Sequence, residues 1–174
     1  MTKPIIGILG GGQLGMMLCD AAKKIGVETH IFCPDDDCPS KGRSTYFSAG
    51  DYTDKNEIIK FSNNVDYITY EFENIPIETI DFITDQKKIR PGKKSLLLTQ
   101  DRLTEKKFLD ELKVPIAPYK DLRTIDDISS AQDEFIDSII KTRTLGYDGK
   151  GQFSLKESDD PNEVLNKIVN NSII

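Results

Sequence analysis

Two periods of apolar residues open the chain. Ile5 to Leu9 is a short apolar run of strand length, and Leu14, Met17, Leu18, Ala21, Ala22 and Ile25 then recur at helical spacing. Asp20, Lys23 and Lys24 take the other face, so the pattern predicts an amphipathic helix with its apolar stripe on a core. Gly26 is a natural stop for that helix, and Val27 to Phe32 reads as a second strand. Strand, glycine loop, helix and strand make a βαβ unit with a parallel sheet.

The alternation continues. Asp54 is placed to cap a helix carrying Ile58 and Ile59. Val65 to Phe72, rich in aromatic and β-branched residues, reads as a strand. Ile75 to Ile83 reads as a short helix with Pro76 in its first turn. The fold class expected is α/β: a Rossmann-like open parallel sheet over residues 1–93, broken at Arg90-Pro91-Gly92. Residues 94–174 form a second region. It begins with one helix from Ser95 to Leu112 and an extended Val114-to-Pro118 connector. A helix starting at Thr124 or Asp126 follows, running through Phe135. Then come a strand from Ser138 to Arg143, a returning strand from Gln152 to Leu155, and a helix from near Ser158 containing Val164, Leu165, Ile168 and Val169. A hairpin with so little sheet is half of a structural unit, since about three strands are needed for independent stability.

Composition narrows the function. The 174 residues are 37% hydrophobic and carry a formal net charge of −6. An acidic balance argues against general nucleic-acid or anionic-membrane binding. No apolar run approaches the roughly 20 residues of a membrane span, and the Met-Thr-Lys-Pro start lacks signal-peptide architecture. Three cysteines, Cys19, Cys33 and Cys38, are an odd, sparse set that suits reduced thiols and a cytoplasmic location. His30, Cys33 and Cys38 lie near the acidic run Asp35 to Asp37, but their spacing matches no zinc pattern.

The candidate chemistry lies in two glycine loops. Gly10, Gly12 and Gly15 fall on the G-x-G-x-x-G spacing after the first strand. Such a loop lets backbone N–H groups and a helix N-terminus receive an anion. Asp35 stands where a dinucleotide site wants an acidic residue for the ribose, so a nicotinamide ligand, another phosphate ligand and a tight turn without ligand all remain open. The second loop, Gly146 to Gln152, joins two strands. Its three glycines and Lys150 suit a mobile flap over phosphates. Lys141 lies in the preceding strand beside Ile139 and Ile140. The reading is an inward ammonium that would need an anionic partner, with a solvent-facing edge lysine as the alternative.

Four motifs in order, "GILGGGQLGMML", "TYEFENIP", "RPGKKSLLLTQDRLTEKKFL" and "IKTRTLGYDGKGQF", resemble the N5-carboxyaminoimidazole ribonucleotide synthetases, ATP-grasp ligases of purine synthesis. The resemblance spans essentially the whole chain. It implies a Rossmann-like pre-ATP-grasp domain over 1–93 and the N-terminal part of an ATP-grasp domain over 94–174. The implied reaction is ATP-dependent carboxylation of 5-aminoimidazole ribonucleotide with bicarbonate. On this resemblance Gly12, Gln13, Leu14 and Gly15 bind the ribonucleotide with Glu71 or Glu73, Glu73 being favoured. Arg102, Lys141, Gly146, Tyr147, Asp148, Gly149, Lys150, Gly151 and Gln152 contact ATP. Tyr147 and Lys150 also reach the substrate, and Asp148 and Lys150 are the catalytic residues.

Met16 stands where many family members carry Arg. Those members are longer, so the resemblance implies that this chain is their N-terminal half and that the Mg²⁺ ligands lie elsewhere, none of them in these residues. A homodimer is the family's common assembly. The competing readings are a non-catalytic nucleotide-binding fragment, another purine-pathway ATP-grasp ligase such as the formate-dependent glycinamide ribonucleotide transformylase, and a short NAD-linked enzyme.

Overall fold

The computed structural model describes residues 3–135, 137–146 and 149–171. They form two compact units, Met1–Leu97 and Leu98–Ile174.

The first unit is a four-stranded parallel sheet in the order β3-β2-β1-β4. Its strands are β1 (Ile5–Leu9), β2 (Glu28–Cys33), β3 (Tyr46–Ala49) and β4 (Tyr67–Tyr70). Ile8 pairs with Ile31 on one side and Thr69 on the other. Because side chains alternate along a strand, the sheet has two cores. Helix α1 (Gln13–Lys24) covers one face, where Ile8, Ile31, Cys19, Cys33 and Cys38 pack. The other face holds Leu9, Phe32, Phe61 and Ile68, together with residues of α2 (Lys55–Asn63), α3 (Ile77–Phe82) and α4 (Lys93–Thr99).

Local signals set most boundaries. Asp54 accepts the N–H groups of Asn56 and Glu57 and so caps α2. At the other end Lys88 Nζ donates to Ser62 O and Val65 O, satisfying carbonyls left at and just beyond the helix terminus. Pro76 is the N-cap of α3 and stands just outside its first turn. The edge strand β3 has no counterpart in the sequence reading. It is four residues long, and Tyr46 is exposed, so it lacks the apolar run that marks a buried strand.

Helix α1 departs most from its expected face. Its buried residues are Gly15, Cys19 and Ala22, whereas Leu14, Met17, Leu18 and Ile25 are exposed. The reason is distance. A Cβ on Gly15 would lie 2.9 Å from the Gly10 carbonyl oxygen, so the helix sits close against the loop and only small side chains fit beneath it. The large apolar residues are turned outward by default.

The second unit packs helices α6 (Ile125–Glu134) and α7 (Pro161–Asn171) on the antiparallel hairpin β5 (Asp137–Lys141) and β6 (Gln152–Lys156). Leu122, Ile128, Ala131, Ile140, Leu155, Val164 and Ile168 form its core. Thr124 and Asp127 close a capping box at the start of α6. The single helix expected from Ser95 to Leu112 is two, α4 and α5 (Arg102–Glu111). Asp101 breaks it: in extended backbone, its side chain accepts the Thr104 N–H and starts a new helix. The last helix begins at Pro161, three residues later than Ser158, since Pro suits a first helical position.

Urea unfolding checks the inverted face of α1. Ile58, fully buried, should cost about 2–5 kcal/mol on truncation to Ala. Ile25→Ala, at 76% exposure, should stay within about 0.5 kcal/mol. A comparable loss at both would show that the outer face of α1 is packed in solution.

Candidate functional site

The first candidate site lies at the carboxyl end of the parallel sheet. The chain runs from β1 to β2 to β3 in one direction and then places β4 on the opposite side of β1. Ligands of open α/β sheets bind at such a switch point. Gly10–Gly12 leaves β1 there, and Glu71 leaves β4 there, its N–H donating to Leu9 O at 3.1 Å. One Glu71 carboxylate oxygen accepts the Gly12 N–H at 2.9 Å.

Gly10 has φ of +118°, and a Cβ on it would fall 2.6 Å from the Glu71 carboxylate, so both its backbone and its surroundings require glycine. Gly12 is the N-cap of α1 and has no side-chain cap bond. Gln13 and Leu14 are exposed on the first turn, while Gly15 is buried beneath it. Glu73 is exposed and Glu71 half-buried, so Glu71 is the carboxylate that the fold brings to the loop.

Asp35 is exposed on the turn after β2. Its side chain accepts the Asp37 N–H at 2.9 Å, closing its own turn. His30 and the cysteines, near one another in sequence, lie on opposite faces of the sheet. His30 packs edge-on against Phe61 and bonds Ser48 Oγ at 2.9 Å. Cys33, three residues on, belongs to the core on the α1 face, as strand alternation requires. Burial lowers the His30 pKa. Among the described residues no group of three His, Cys, Asp or Glu is gathered as a metal would need.

The Cys33 and Cys38 sulfurs flank Gly11. Burial, with the hydrogen bond and charge of Cys38, pushes the Cys33 thiol up to about 12, and burial raises Cys19. These are core thiols, protected as neutral groups.

The second candidate site belongs to the second unit. A cavity of about 420 Å³ is lined in part by Arg102, Lys106, Lys120, Ile139 and Lys141. Lys141 does not point into the core. Ile140 is buried at 2%, whereas Ile139 is 61% exposed and Lys141 is exposed on the same face, so the ammonium lies on the open side of the hairpin, beside Ile139. Cationic heads over apolar side chains suit an anionic ligand with an apolar part.

The glycine-rich loop rises from the end of β5. A Cβ on Gly146 or Gly151 would lie 2.5 or 2.7 Å from Thr142 Oγ1, so the neck of the loop closes only with glycines. Arg102 Nε and Nη2 donate to Thr142 O at 3.0 Å and Gly146 O at 2.7 Å. Gly149, Lys150 and Gln152 are exposed, and Gly151 is half-buried. Tyr147 and Asp148 lie outside the described residues. Spacing reveals no partner for Arg102, because its two acceptors lie 40 and 44 positions away.

A parallel sheet is followed by a lysine-bearing hairpin and its glycine-rich loop, and the families that match this order are of the ATP-grasp class. The ribonucleotide synthetase preATP-grasp domain family matches residues 1–100, and the ATP-grasp domain family matches 107–174. The chain belongs to the ribonucleotide synthetase preATP-grasp domain family.

Among its relatives, the N5-carboxyaminoimidazole ribonucleotide synthase of Staphylococcus epidermidis is 38% identical over 159 residues, 91% of this chain and 42% of that one. The bifunctional purine synthesis protein purC/E of Dictyostelium discoideum is 39% identical over 164 residues, 94% of this chain and 16% of that one. The crystal structure of N5-carboxyaminoimidazole synthetase from Staphylococcus aureus complexed with ADP superposes with a TM-score of 0.86 at 34% identity, covering 99% of this chain and 47% of that one. The chain therefore spans less than half the length of these relatives. No helix of the described residues is long and apolar enough to cross a membrane.

Two outcomes check this geometry. Gly10→Ala should cost about 1–3 kcal/mol in thermal melting, from left-handed strain and displacement of Glu71; an unchanged melting curve would contradict the close approach. Iodoacetamide at about pH 8 should label Cys33 slowly in the native protein and readily after unfolding, with the native rate climbing as pH rises toward the thiol pKa. Rapid native labelling at that pH would contradict its burial.

Proposed function

We propose that this chain provides the ribonucleotide-binding domain and part of the ATP-binding domain of an enzyme that carboxylates 5-aminoimidazole ribonucleotide at the expense of ATP. The observation that carries the reading is the shared wall of Arg102 and Lys141 in the second unit's cavity, beside the glycine-rich loop. The relatives' names and the ADP complex of the Staphylococcus aureus protein support it.

In this reading residues 94–174 bind ATP. Lys141 sets an ammonium against the phosphates from the open face of β5, while Ile139 beside it offers an apolar surface. Arg102 acts at the base of the loop, and Gly146, Gly149, Lys150, Gly151 and Gln152 place backbone donors and a second ammonium over the phosphates. Tyr147 and Asp148 keep the roles the family implies, Asp148 and Lys150 as catalytic residues. The loop also excludes water, which protects a labile acyl phosphate formed from bicarbonate.

Residues 1–93 bind the ribonucleotide through Gly12, Gln13, Leu14 and Gly15. Glu71 replaces Glu73 as the first carboxylate at this loop, where it can accept hydrogen bonds from ribose hydroxyls or an amine. A second anion set directly against it would meet repulsion, so a substrate phosphate docks on the exposed side of the loop, toward Gln13. Mg²⁺ is the expected partner of ATP. Its ligands are expected in the part of the longer relatives that this chain does not cover. The location proposed is the cytoplasm, and a homodimer is the assembly proposed for the full-length protein only.

Calorimetric titration with ADP tests the reading. Binding should be measurable, and Lys141→Ala should weaken it by roughly ten-fold or more, as expected on losing a charge-assisted phosphate contact. No heat at millimolar ADP would overturn the nucleotide assignment. Equal binding by parent and variant would remove Lys141 from it.

A further inference from the structure

The glycine-rich loop is bound to helix α5 more firmly than a free flap would be. Asp101 divides its two carboxylate oxygens between two tasks. Oδ1 accepts the Thr104 N–H at 2.9 Å and caps α5. Oδ2 accepts both Arg143 Nε at 2.9 Å and Arg143 Nη2 at 2.7 Å. The next residue continues the attachment: Arg102 N–H donates to Arg143 O at 2.9 Å, and its guanidinium reaches Thr142 O and Gly146 O. Two consecutive residues of α5's N-terminus thus hold the rising leg of the loop at Thr142, Arg143 and Gly146. The returning leg meets this neck where Thr142 N–H donates to Gly151 O at 2.7 Å.

The pair is not an ordinary surface ion pair. Its side chains are only 23% and 35% exposed. Burial works to raise the Asp101 carboxyl, but the Thr104 N–H bond and Arg143 outweigh it and hold it below its usual range. Both Arg143 bonds end on one oxygen, so the guanidinium is anchored at that point by two charge-assisted bonds. With Arg143 held there, its carbonyl is set for Arg102 N–H, and the Arg102 side chain is directed across the neck.

We propose that Asp101 is a positioning residue of the nucleotide site: through Arg143 it presets the neck of the glycine-rich loop and the orientation of Arg102 before nucleotide arrives. The inference rests on the ATP-binding reading above, but its structural half is measurable without nucleotide. Preorganisation lowers the ordering cost of binding, so loosening the strut should weaken nucleotide binding while leaving the fold in place.

Asp101→Asn separates the two tasks of this residue, since Asn caps helices about as well as Asp but no longer pairs with Arg143. In this variant, and in Arg143→Gln, amide hydrogen exchange at residues 143–146 should accelerate and the ADP dissociation constant should rise roughly ten-fold, while cooperative thermal unfolding is retained with a lowered midpoint. The double variant should bind no worse than either single one, because both break one interaction. Arg143→Lys keeps the charge but not the two-donor guanidinium, so it should recover only part of the affinity that Arg143→Gln loses.

Unchanged loop exchange in Asp101→Asn would overturn the strut. Additive losses in the double variant, or faster exchange with ADP affinity intact, would overturn the positioning role. If the parent chain binds no ADP, the nucleotide reading and this positioning role fail together, and the exchange measurement still decides whether the strut exists.

Discussion

Parallel pairing of β1 with β4 is the constraint on which the first unit depends. The register Leu9 to Tyr70 brings two segments about sixty residues apart in sequence to one sheet edge, so that Gly10–Gly12 and Glu71 emerge side by side. Neither has this surrounding alone. The loop needs glycines because the Glu71 carboxylate lies where a Cβ would be, and Glu71 is held by the N–H that the loop exposes. Close approach of α1 follows from the same geometry. Gly15, Cys19 and Ala22 are the residues small enough to lie beneath it.

The second unit answers a similar demand in another way. A glycine-rich loop has few side chains to pack, so its order comes from the neck. Hydrogen bonds from the start of α5 and the narrow fit of two glycines around Thr142 provide it. The hairpin keeps its apolar Ile140 and Leu155 against α6 and α7, which leaves Ile139 and Lys141 together on the open face. One alternation therefore produces both a core and an open face that carries Ile139 and Lys141.

The two sites share an economy of charge. The chain is acidic overall, yet Arg102, Lys106, Lys120 and Lys141 line one cavity. Lys120 is paired with Glu134 at 2.9 Å and Asp137 lines the same cavity, so Arg102, Lys106 and Lys141 carry its positive character. At the sheet edge the balance is reversed. A carboxylate lies at the N-terminus of α1, where it accepts the Gly12 N–H beside the positive end of the helix dipole.

Period, punctuation and motif order by themselves determined the α/β class, the βαβ opening, the Asp54 cap, the hairpin and the two glycine loops, because these depend on neighbours within a few residues. The sequence also pointed to the family, through four motifs in order. Tertiary structure alone decided which face of each element is buried and which distant groups meet. It turned Leu14, Met17 and Leu18 outward, placed Lys141 on the open face, split one expected helix at Asp101, separated His30 from the cysteines across the sheet, and chose Glu71 for the glycine loop. The physical reason is that local propensity sets the backbone, whereas burial and pairing depend on how closely other segments approach, and that distance is fixed only when the sheet and its helices pack together.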